Sequence, residues 1–132
     1  MRATLEEHVH LAPSWAWPKP VQTVRGRTGV PVLVGGAPGP LLFRHIAEFA
    51  DGWIPVGGAG VAAAMADLHA AAEAVGRDPG ELTVVPFGTL PDQGKLDHYE
   101  SLGIREVILR LPSAPAAEVL ATLDSFAPFV GR

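Results

Sequence analysis

Apolar positions along this chain fall into two patterns, short unbroken runs and stripes at helical spacing, and the two alternate. The alternation is clearest between Val30 and Gly58, VPVLVGGAPGPLLFRHIAEFADGWIPVGG. Val32, Leu33 and Val34 form a run too short for anything but a buried strand, and Gly35-Gly36 end it. Pro38 and Pro40 suit a turn and a first helical turn, where no backbone donor is needed. From Leu41 the apolar residues Leu42, Ile46, Phe49 and Ala50 recur at helical spacing, with Arg44, His45 and Glu48 between them. Asp51-Gly52 is a turn signal, and Trp53-Ile54-Pro55-Val56 predicts a second strand that ends in Gly57-Gly58. A helical connection makes the two strands parallel neighbours in a βαβ unit.

The same alternation continues downstream. Val61 to Val75 predicts an alanine-rich helix with Met65, Leu68, Ala72 and Val75 on one face, ended by Gly76 and the turn Asp78-Pro79-Gly80. Leu82 to Phe87 (LTVVPF) is a third strand, left by Gly88. Asp92 to Leu102 is a short helix carrying Leu96 and Tyr99 and closed by Gly103. Glu106 to Leu111 (EVILRL) is a fourth strand. Ser113 caps a final helix, with Pro115 in its first turn and Val119, Leu120, Leu123 and Phe126 as its core face.

Residues 1–29 stand apart from residues 30–132. Pro13, Pro18 and Pro20 surround Trp15 and Trp17 and exclude a long helix, so an irregular lead-in segment is expected. His8 and His10 lie beside Glu6 and Glu7, but an i, i+2 histidine pair of this kind is expected to be solvated, and no metal site is assigned.

Four consecutive βα units without a hairpin signal mean an α/β protein with a parallel sheet. A complete (β/α)8 TIM barrel needs roughly 250 residues, so these 132 residues supply about half of one. Four strands alone leave two open edges and one uncovered apolar face. The hydrophobic content of 48% fits a chain whose sheet is completed by something else: a missing N-terminal half or a second copy in a homodimer. An open four-stranded sheet with helices on both faces is the third arrangement.

Charge and residue content narrow the functions. A net charge of −4 with scattered basic residues argues against nucleic acid or an anionic membrane as partner. The absence of cysteine removes disulfides, thiolate catalysis and cysteine-ligated zinc. No run is long enough to span a membrane, and a cytoplasmic location is the default.

The candidate chemistry lies at the carboxyl ends of the strands, the edge where parallel α/β sheets and barrels bind ligands. Two glycine pairs leave adjacent strands there. Glycine lets backbone N–H groups approach an anion, and a helix N-terminus adds positive partial charge. The plain alternative is that glycine serves the strand-to-helix turns alone. Arg110 lies near the same rim and is either a phosphate contact or an ordinary rim arginine. Asp51-Gly52 precedes its strand, at the opposite rim, and is read as structural.

The segments SWAWPKPVQ, PVLVGG, AEFADGWIPVGG, GRDPGELTVVPFG and LGIREVILRLPS, in this order, resemble the luciferase-like monooxygenase family, closest to its members dependent on the deazaflavin coenzyme F-420. The resemblance runs from about Ser14 to Ala127 and covers only the C-terminal half of a family member. It implies a (β/α)8 barrel and a redox reaction on FMN or F-420. It also implies that Gly35 and Gly36 line the cofactor's phosphate and ribityl region and that Val56, Gly57 and Gly58 contribute phosphate contacts. Some F-420 enzymes carry threonine and lysine in the second of these loops; Val56 and Ala59 stand here, so phosphate binding rests on backbone N–H groups. The family's catalytic histidine, glutamate and aromatic residues come mainly from N-terminal strands, so no catalytic residue is transferred.

Three functions follow. The first is a truncated flavin- or F-420-dependent oxidoreductase, transferring hydride or oxygen to an organic substrate, with this half holding the cofactor phosphate. The second is a non-catalytic dimeric half-barrel that binds a phosphorylated small molecule. The third is an inactive fragment. Substrate identity and the choice between FMN and F-420 do not follow from these residues.

Overall fold

The computed structural model describes residues 30–130. The lead-in segment with its tryptophans and paired histidines lies outside them. Strands and helices alternate: β1 (Leu33–Gly35), α1 (Pro40–Phe49), β2 (Gly52–Ile54), α2 (Val61–Ala74), a 3-10 turn (Pro79–Glu81), β3 (Thr83–Val84), β4 (Phe87–Thr89), α3 (Gln93–Ser101), β5 (Ile108–Leu109), α4 (Ala116–Phe126) and a 3-10 turn (Ala127–Phe129). All strand pairs are parallel. β1, β2 and β3 form one sheet in that order, β4 and β5 a second, and a bridge between Val56 and Phe87 connects them.

The expected strand Leu82–Phe87 is divided into β3 and β4 around Pro86. The backbone still runs on: Thr83, Val85 and Phe87 donate in turn to the carbonyls of Asp51, Trp53 and Pro55 at 3.0, 2.9 and 2.8 Å. Amide direction alternates along a strand, so residue 86 faces the β5 side, where proline has no N–H to give. Its carbonyl accepts from Ile108 at 2.9 Å, and only from there does the pairing with β5 begin. The strand expected over 106–111 accordingly shortens to two residues.

Packing is concentrated between the three-stranded sheet and α1 and α2. Phe43, Ile46, Ala50, Trp53, Val61, Ala64 and Leu68 are buried there, joined by Val84, Tyr99 and Ile104. The Phe43 and Trp53 rings meet edge to face at 5.1 Å, a geometry worth about 1 kcal/mol beyond the area buried. Phe43, not Phe49, is the aromatic anchor of α1; Phe49 is 43% exposed. Of the expected α2 face, Leu68 and Ala72 are buried, Met65 is half-buried, and Val75 is exposed.

Two helices end in the same way. After α2, Gly76 donates to Glu73 O and Arg77 to Ala72 O; after α3, Gly103 donates to Glu100 O and Ile104 to Tyr99 O. This is the Schellman arrangement, and both glycines hold the left-handed φ it requires, +71° and +80°.

The final helix departs from expectation. It begins at Ala116 with Pro115 as its N-cap, and no Ser113 side-chain bond caps it. None of its residues is buried: Leu120 is 59% and Leu123 44% exposed, and Val119 and Phe126 are only half-covered. Among the described residues its substantial packing is with the 3-10 turn that follows it, and no other element there covers the apolar stripe extensively. No helix among the described residues is long and apolar enough to cross a membrane.

Candidate functional site

Parallel pairing brings the carboxyl ends of the strands to one edge. At β1, Gly35 lies opposite Ile54, and Gly36 N donates weakly to Ile54 O at 3.4 Å. The Trp53 indole Nε1 donates to Gly36 O at 3.0 Å and fixes this turn from below. One strand further on, Gly57 N donates to Phe87 O, and at β5 Arg110 N donates to Thr89 O, both at 2.9 Å. Backbone bonds thus tie the Gly35-Gly36 turn, the Val56–Gly60 loop, Thr89 and Arg110 along one rim. All six residues singled out from the sequence lie on it.

Their donors are not equally available. Gly57 N is committed to Phe87, so it is not free for a ligand. The amides of Gly58, Ala59 and Gly60 have no acceptor among the described residues. They immediately precede α2, whose N-cap Gly60 has no side chain with which to satisfy the first turn. Three successive unpaired amides at a helix N-terminus form a concave donor surface suited to a phosphate or carboxylate. Val56, 79% exposed, contributes an apolar surface beside it and no donor of its own. Gly35 and Arg110 are exposed.

The loop is supported from beneath by a residue that sequence reasoning placed only in a helix. Tyr99, from α3, is 2% exposed, and a Cβ added to Gly58 would clash with its Oη. Gly58 is therefore required by contact with the tyrosine, independently of any ligand. Among the described residues Tyr99 Oη has no hydrogen-bond partner, and neither has Oγ1 of Thr89, also 2% exposed. Neither feature is announced by local pattern; both arise when the βα units are packed together.

An open cavity of about 710 Å³ lies beside the rim between α1 and α2. It is lined mainly by small or apolar residues, including Pro38, Pro40, Phe43, Ala63 and Ala64, with Asp67 as its charged member. Among the described residues no group of histidines and carboxylates is placed to hold a metal. The rim offers hydrogen-bond donors and one guanidinium, which suits binding an anion.

A family model described as luciferase-like monooxygenase matches residues 4–90. The chain belongs to the luciferase-like monooxygenase family. It is also 38% identical, over 92% of its length, to the uncharacterized proteins Rv0953c of Mycobacterium tuberculosis and Mb0978c of Mycobacterium bovis. It spans 41% of the length of each.

The opposite rim has the structural contacts expected of Asp51-Gly52. Asp51 Oδ2 accepts Val32 N–H at 2.7 Å, tying the start of β1 to the turn before β2. Gly52 lies so close to β3 that an added Cβ would clash with Thr83 O.

Proposed function

We propose that this chain is the C-terminal half of a (β/α)8 barrel in a flavin- or F-420-dependent oxidoreductase, and that its share of the work is to hold the cofactor's phosphate end. Family membership supports the reaction class. The observation that carries the site is the run of unpaired amides from Gly58 to Gly60 at the N-terminus of α2. It lies on the same edge as Gly35, Gly36 and Arg110. When bound, FMN or F-420 supplies the ring that carries the hydride or electrons.

The residues of this chain bind and orient. Gly58, Ala59 and Gly60 donate to phosphate oxygens, and the dipole of α2 adds to the attraction. Arg110 supplies a full positive charge from the end of β5, two units further on. Gly35 and Gly36 keep the neighbouring surface low, so the adjoining part of the cofactor can lie against backbone. The acid–base groups of the reaction, and the organic substrate, belong to the remainder of the barrel.

Fluorescence titration of the purified chain with F-420 and, separately, FMN tests this reading. Saturable micromolar binding of one of them is expected and names the cofactor. A folded chain that binds neither contradicts a phosphate site in this half.

A second reading is favoured by the sheet. Phe87 and Ile108 are 48% and 37% exposed, and Val56 more so. A second copy pairing through these residues would complete eight strands and give a dimer that binds a phosphorylated small molecule without redox turnover. Sedimentation analysis separates a dimer from a monomer directly.

A further inference from the structure

Three side-chain atoms among the described residues are buried without a hydrogen bond: Arg77 Nε, Thr89 Oγ1 and Tyr99 Oη. Arg77 Nε has a charged neighbour, with Glu81 Oε2 at 3.5 Å, and so is not without electrostatic compensation. The two hydroxyls have none among the described residues. A buried hydroxyl without a partner is destabilising, and native structures rarely retain one without a use for it.

Their positions give the use. Tyr99 Oη lies against the backbone of Gly58, in the space a side chain there would fill. Thr89 ends β4, two residues after the carbonyl that receives Gly57 N–H, and its own carbonyl receives Arg110 N–H. Thr89 is thus tied through its backbone to Arg110, and Tyr99 packs against the loop that carries the unpaired amides. The loop itself, Val56-Gly57-Gly58-Ala59-Gly60, has no polar side chain. The Gly58 backbone lies against the phenol oxygen. Gly57 and Gly60 on either side, at φ +72° and +75°, have the backbone freedom to let that peptide turn.

We propose that the hydroxyls of Tyr99 and Thr89 are the side-chain donors of the anion site begun by the Gly58–Gly60 amides. The proposal rests on the phosphate-site reading above. An anion drawn to the amides rotates the Gly58 peptide and receives the phenol proton as a hydrogen bond. Thr89 donates from the neighbouring strand, between the loop and Arg110. Both groups orient the anion and neither transfers a proton to it.

The test is binding of inorganic phosphate, FMN and F-420 to the unmodified chain, Tyr99→Phe and Thr89→Val. Each variant keeps the shape of its side chain and removes only a group that is unpaired in the free protein. Unchanged or raised melting temperatures are therefore expected without ligand. With ligand, each variant binds about 10- to 100-fold more weakly, the usual effect of losing a hydrogen bond to a charged group. The chain has a single tyrosine, so labelling tyrosine with carbon-13 at Cζ gives one resonance, which shifts when the anion binds. Unchanged affinity in one variant removes that hydroxyl from the site. Unchanged affinity in both, with an unmoved resonance, overturns the proposal while leaving the phosphate site standing. If the folded, unmodified chain binds none of the three probes, the site reading and this proposal fall together.

Discussion

Arg77 reaches from the turn after α2 to the last turn of α1, where its Nη1 donates to the carbonyl of Ala50 at 2.5 Å. The same nitrogen is 3.1 Å from Ile46 O and 3.5 Å from Ala47 O. A guanidinium at the C-terminus of a helix meets both unsatisfied carbonyls and the negative end of the dipole. One side chain thereby fastens the two helices that cover the sheet.

Replacing Arg77 with alanine is expected to cost about 2–3 kcal/mol, since buried carbonyls lose a charged donor. Lysine would recover only part, having no planar fork to span neighbouring carbonyls. Urea denaturation followed by circular dichroism measures both. Equal stability of the alanine variant would show that the contact contributes nothing.

Gly52→Ala is expected to be far more damaging than Gly76→Ala. At position 52 the new methyl meets backbone, Thr83 O, and no side chain can move aside. Loss of more than about 4 kcal/mol is expected, the range reserved for gross disruption. At position 76 nothing lies within 4 Å of the added carbon, and only the left-handed φ is unfavourable. The cost there is about 1–2 kcal/mol. Comparable melting temperatures for the two variants would contradict the close approach at β2.

Arg110→Ala separates binding from folding. The side chain is exposed, so stability should stay within about 0.5 kcal/mol of the parent. Affinity for FMN or F-420 should fall about tenfold and become less sensitive to salt. Titrations at low and high ionic strength give both numbers, and an unaltered salt dependence would remove Arg110 from the site.

Hydrogen exchange should rank the helices. The amides of α4, a helix with no buried residue, are expected to exchange well before those of α1 and α2. Equal protection along all of them would mean that α4 is held by contacts beyond those described.

The order of strands and helices was legible because each run of apolar residues was bounded by glycine or proline. The Schellman ending at Gly76 was legible too, since a left-handed residue after an alanine-rich stripe leaves few other choices. Pairing beyond the local unit was not. Pro86 breaks a strand only because its missing N–H faces β5, a direction that becomes defined when the neighbours are known. The core face assigned to α4 failed for a related reason, since amphipathic spacing shows that a surface can be buried and not that a partner is present. At the site, the glycine pairs were visible but the occupied Gly57 amide was not. Nor were the two buried hydroxyls, whose surroundings are set by packing between units.

Trp53 has its ring in the core, 1% exposed, and its indole N–H on the Gly36 carbonyl. That carbonyl belongs to the turn where a ligand would arrive. Indole emission depends on the polarity at its nitrogen, so Trp53 is an optical lever with its short arm at the candidate site. With Trp15 and Trp17 changed to phenylalanine, the colour of a single fluorophore would follow the first glycine turn, without attaching any dye.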